Sequence, residues 1–177
     1  MRVKFYLLVF LCLVFSIVAH SQAEPEYIGQ AITTDKVLLE KTKYEIGYGM
    51  NAGGVALAAY GLGKTKISFS VEGETSNTRV HATDTIRIIF NNGNQLMNPS
   101  ELFSVVKFEV NAKKKNRFVI TDKKGEEYKV STTKSKVPAF FKKYGVNSYM
   151  IEIPGLTPGE YGIFSIASDS VLCFAVE

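Results

Sequence analysis

Apolar and polar side chains alternate along much of the chain beyond its first two dozen residues. In Lys66-Ile67-Ser68-Phe69-Ser70-Val71-Glu72 the three apolar residues share one face, which predicts a half-buried β-strand. The same period of two runs through Ile86, Ile88 and Phe90, through Val106, Phe108 and Val110, through Phe118 and Ile120, and through Tyr149, Ile151 and Ile153. Residues 161–167 and 171–176 also read as strands, and residues 27–33, 37–41 and 54–60 do so on weaker patterns. Turn chemistry separates these segments at Asn91-Asn92-Gly93-Asn94, at Asp122-Lys123-Lys124-Gly125 and at Pro158-Gly159. Helical turns are expected only at residues 98–103, where Asn98 can cap and Pro99 occupies the first helical position, and at residues 137–144. About 8–10 short strands at such spacing predict an all-β protein, an antiparallel β-sandwich of Ig-like or jelly-roll-like type with one or two short helical turns.

The N-terminus breaks this pattern. Arg2 and Lys4 precede an apolar stretch from Phe5 to Ala19, followed by the small-residue exit Ser21-Gln22-Ala23. These are the three zones of a cleavable signal peptide, and the stretch is shorter than the roughly 20 residues of a membrane-crossing helix. Residues 1–23 are therefore expected to be removed, leaving 24–177 as one exported domain, periplasmic or secreted, with no transmembrane segment. Cys12 lies in the middle of the apolar stretch, so no lipid anchor is expected.

Charge changes the picture little. The net charge of +4 includes Arg2 and Lys4, so the processed chain carries +2, and a nucleic-acid partner is not expected. Cys173 is the one cysteine left after processing, which rules out an intramolecular disulfide and leaves stability to core packing. It sits between Leu172 and Phe174 and reads as a small buried hydrophobe rather than a nucleophile.

Candidate chemistry is sparse. Ala58-Ala59-Tyr60-Gly61-Leu62-Gly63-Lys64-Thr65 fits a loose phosphate-binding loop, but a strand pattern rather than a helix follows it, so a glycine turn is expected and no nucleotide. The glycine-dense run from Gly47 to Gly54 reads as a strand-connecting loop, with Tyr48 and the nearby Tyr60 as candidate binding aromatics. Lys113, Lys114, Lys115 and Arg117 form the concentrated positive charge, expected at a hairpin tip between strands whose inner faces are Phe108/Val110 and Phe118/Ile120. Such a tip can meet an anionic polymer or lipid headgroup. His81 has no partner in metal-ligand spacing, and Glu72, Glu74, Glu126 and Glu127 do not define a catalytic pair by sequence alone. No catalytic residue, metal or cofactor is assigned.

In the last third, Leu156-Thr157-Pro158-Gly159-Glu160-Tyr161-Gly162-Ile163 precedes a terminal Leu172-Cys173-Phe174-Ala175-Val176-Glu177. Together with Val71-Glu72-Gly73-Glu74-Thr75-Ser76 and Asn98-Pro99-Ser100-Glu101-Leu102-Phe103, the order and spacing resemble an uncharacterised group of bacterial exported β-sandwich proteins. Ala175 and Glu177 stand where that group has Gly and Asp, and one residue is inserted in its Ser-Pro motif. The resemblance implies export and a β-rich fold, and assigns no activity. Read physically, Pro158 presets a turn, Gly159 takes a conformation other residues resist, and Tyr161 packs its ring while its hydroxyl meets a backbone partner. The expectation is a non-enzymatic binding or structural module of the bacterial cell envelope with an unknown macromolecular partner. An envelope glycan or peptide hydrolase and an anionic-polymer or lipid-headgroup binder are the alternatives.

Overall fold

The computed structural model describes residues 23–49, 66–93, 98–122 and 135–177. The signal segment up to residue 22, the expected strand at 54–60 with Tyr60, the Ala58–Thr65 loop, residues 123–125 and Glu126-Glu127 lie outside them. Fourteen strands among the described residues form three sheets.

The first sheet runs β1 (Ala31–Thr33), β6 (Thr85–Asn91), β12 (Ser148–Pro154), β11 (Phe140–Lys143). The central sheet runs β10 (Lys136–Val137), β7 (Phe103–Lys107), β13 (Gly159–Ser165), β14 (Ser170–Val176), β2 (Glu40–Lys43), and β5 (Arg79–Val80) lies parallel to the end of β14. The third runs β3 (Glu45–Gly49), β4 (Lys66–Glu72), β9 (Asn116–Asp122), β8 (Glu109–Asn111). All other pairings are antiparallel. The antiparallel sandwich read from the sequence is the observed fold, with a third sheet added.

Both faces of the central sheet are buried, which explains why β13 and β14 read as continuous apolar runs. Val105, Ile163, Leu172, Phe174 and Val176 meet Ile86, Ile88, Ile151 and Ile153 of the first sheet. Val106, Phe164, Val171 and Cys173 meet Ile67, Phe69, Val71 and Val119 of the third. Single residues, Tyr44 and Phe108, separate β2 from β3 and β7 from β8, so the chain passes directly from the central to the third sheet at both sides of the second core. Gly162 allows the passage at Phe108, because a Cβ on the glycine would stand 2.6 Å from the Phe108 ring and 2.9 Å from Val171.

A four-residue helix, α1 (Pro99–Leu102), begins as its sequence predicts, with the Asn98 side chain accepting from the Ser100 amide. Residues 137–144 are a correction: they form β10 and β11 rather than a helical turn, because Pro138 offers no amide and Phe140–Lys143 pairs with residues of β12. The Gly47–Gly54 run is another, since its first three residues lie in β3 opposite β4. Weaker strands shrink as well. Only Ala31–Thr33 of 27–33 pairs as a strand, because Gly29 turns the chain at φ +83°, and β2 starts at Glu40 after a turn at Lys36.

Candidate functional site

Two features concentrate polar or accessible chemistry: a closed ion-pair network inside the second core and an open cleft at one end of the first.

The closed network centres on Arg117. The β9 face expected to point inward, Phe118 and Ile120, is the outer one: Ile120 is 40% exposed, while Arg117, Val119 and Thr121 are buried. An Arg wins an inward position over a Phe only if its charge and donors are met there. They are met. Arg117 Nη1 donates to Glu160 Oε2 at 3.2 Å, Nε to the Gly73 carbonyl at 3.1 Å and Nη2 to the Glu72 carbonyl at 3.3 Å, and Nη2 stands 3.7 Å from Glu40 Oε1. The planar fork serves all three directions at once, which a lysine ammonium does not do. Glu160 also accepts from the Ser76 amide, and Glu40 accepts from the Asn77 amide and from the Ser76 and Thr42 hydroxyls. Burial pushes the Glu40 carboxyl up, but these donors and the Arg117 charge outweigh it and hold the group below its ordinary value.

This geometry explains the sequence motifs. Ser76 ends the Gly73-Glu74-Thr75-Ser76 turn, Arg117 belongs to the basic segment and Glu160 to the Pro-Gly-Glu-Tyr corner, and the three meet at one point. Cys173 lies beside them, fully buried, with its thiol pushed to about 12, first by burial and then by the two carboxylates against the opposing pull of Arg117. The network ties β9 to β13 and β2, and its carboxylates are occupied by internal donors.

The corner itself is built as its residues suggest. Tyr161 Oη donates to the Thr157 carbonyl at 2.7 Å, its ring stacks on Phe174 at 5.5 Å, and Gly159 has φ +151°. Lys107 Nζ donates to Thr157 Oγ1 and to the Pro158 carbonyl across this turn.

The structure divides the positive cluster. Lys113, Lys114 and Lys115 are exposed at the β8–β9 hairpin tip, with Lys115 at φ +50°, while Arg117 is interior and forms no part of that surface. Tyr48 falls in β3 opposite Ile67, and its side chain lies outside the described residues. His81 is exposed beside Asp35 and Asp84, and among the described residues no group of three or more His, Cys, Asp and Glu side chains is placed to hold a metal.

The open feature was not legible in the sequence. A cleft of about 260 Å³ opens where the first and central sheets part at the β13–β14 turn. Its floor is apolar core: Phe90, Leu102, Phe103, Ile163 and Leu172, with the Phe90 and Phe103 rings 4.5 Å apart. Serines 165, 168 and 170 and Lys41 rim it. Its outer wall is the segment before β1, where Ile28 is 71% exposed and Gly29 passes over Lys41. That segment is strapped down at both ends. The Gly29 amide donates to the Asn91 carbonyl, and the Glu24 carboxylate accepts from the Val146 and Asn147 amides and the Ser148 hydroxyl. The Ser148 bond leads in holding the Glu24 carboxyl below its ordinary value.

Compared with protein-family models, with curated proteins and with solved structures, the chain matches none.

Proposed function

We propose that the chain is an exported, non-enzymatic binding module of the bacterial cell envelope that receives an apolar group of its partner in the cleft between the first and central sheets. The signal-like N-terminus and the resemblance to exported bacterial β-sandwich proteins support the location. The observation that carries the reading is the contrast between the two features: the Glu160 and Glu40 carboxylates already face internal donors, whereas the cleft opens to solvent over a floor of apolar core residues. Concave, mostly apolar sites with a few polar groups at the rim are the usual form of a small-ligand site. The neutral fluorophore N-phenyl-1-naphthylamine should brighten on binding the protein, and Ser165→Trp at the rim should abolish that signal while leaving the melting temperature in place. No brightening with the wild-type protein removes the cleft as a binding site.

A second reading rests on Lys113, Lys114 and Lys115, which project together from one exposed turn. An anionic polymer or lipid headgroup is the partner such a tip would attract.

A further inference from the structure

We infer that the cleft takes a single-chain alkyl carboxylate of medium length, with its tail between the sheets and its head on Lys41. The inference rests on the cleft reading above and adds the chemical class of the ligand.

Register places the cation. Across the central sheet Val105 pairs with Ile163, Ile163 with Leu172 and Leu172 with Lys41, so these four side chains form one row on the face turned to the first sheet. Three of them are buried in the first core, and the fourth, at the sheet edge, carries the row out to the cleft mouth. There the ammonium lies 3.4 Å from where a Gly29 Cβ would stand, against the strap. The neighbouring Lys43 is paired with Asp169, and Lys142 with Glu152, but the Lys41 side chain makes no hydrogen bond or ion pair among the described residues. A cation with no counter-charge among the described residues, at the end of an apolar row, complements an anion with an apolar tail. Size follows from volume: an apolar cavity of about 150 Å³ accepts benzene, so 260 Å³ holds about ten carbons in proportion, enough for a medium chain and too little for a two-chain lipid.

The test is competition against bound N-phenyl-1-naphthylamine by decanoate and by decanol, both below their aggregation concentrations, in wild type, Lys41→Met and Lys41→Arg. Methionine keeps the apolar stem and removes the charge; arginine keeps the charge. A charged hydrogen bond at a partly exposed rim is expected to favour decanoate over decanol about five- to tenfold in wild type and Lys41→Arg, with the preference gone in Lys41→Met. Equal competition by the two ligands in wild type overturns the inference and leaves the cleft reading standing. A decanoate preference that survives in Lys41→Met overturns it too, since the head would then sit elsewhere. Failure of both ligands to displace the dye, or of the dye to bind, overturns the cleft reading and the inference together.

Discussion

Replacing Arg117 by Met removes a guanidinium with no exposed surface and leaves its surroundings built for it. Glu160 Oε2 keeps only the Ser76 amide, and the Gly73 and Glu72 carbonyls each lose a donor. Glu40 suffers least, because it retains Ser76, Asn77 and Thr42 as donors and reaches solvent with a fifth of its side chain. Stranding one partner of a buried ion pair costs about 3–5 kcal/mol. For a chain of this size each kcal/mol lowers the melting temperature by roughly 2–4 °C, so a fall of about 6–20 °C is expected. The chain has no tryptophan, so urea unfolding followed by far-ultraviolet circular dichroism is the assay. A cycle with Glu160→Met separates the pair from the packing: the double variant should lose clearly less than the sum of the two single losses, because Glu160 is no longer stranded, although Glu40 and the Gly73 and Glu72 carbonyls still lack the guanidinium. A loss under about 1 kcal/mol in Arg117→Met, or strictly additive losses in the double variant, would refute the claim that this pair joins the two sheets.

The other expectations follow from single environments. Cys173, buried with its thiol raised to about 12, should resist a thiol reagent at pH 8 in the native protein and react fully in denaturant; rapid native labelling would place it at the surface. Glu24 and Glu40 both titrate below the ordinary 4.5 in the folded chain, so the stability they contribute is complete above that value and lost as pH falls through their folded values. Glu24→Gln should therefore reduce the acid sensitivity of amide exchange in the strap over residues 24–30, and an unchanged profile would discount that anchor. Changing Lys113, Lys114 and Lys115 together to Gln should leave stability within about 0.5 kcal/mol, because all three are exposed, and should remove any retention on heparin. Retention that persists in the triple variant would dismiss the tip as an anion site.

Much of the architecture was written in local periodicity. Alternation in β4, β6 and β12 predicted both the strands and the buried face, and the Asn98-Pro99 start of α1 and the Tyr161 corner followed from single residues with restricted chemistry. The errors have a common physical origin in partners distant along the chain. Phe118 and Ile120 are more apolar than Arg117 and Thr121, so hydrophobicity alone turns β9 the wrong way round. The decisive term is the pairing of Arg117 with Glu160 and Glu40, 43 and 77 residues away. A signal for that contact does exist, since Glu160 and Ser76 sit in two of the ordered motifs, but order does not reveal contact. Residues 137–144 suggest a helical turn by sequence because an edge strand with exposed Phe140 and two lysines lacks a clean period of two. The cleft could not be read at all, as its walls come from the strap, β2, β6, α1, β7 and the β13–β14 hairpin, and nothing local in any of them marks a shared cavity.

Backbone amide shifts of the isotopically labelled, processed protein during a decanoate titration test the account most directly. Saturable changes confined to Gly29, Lys41, Ser165, Ser168 and their neighbours are expected, with the Arg117 and Glu160 amides still. Changes centred on the Lys113–Lys115 tip, or none that saturate, would contradict it.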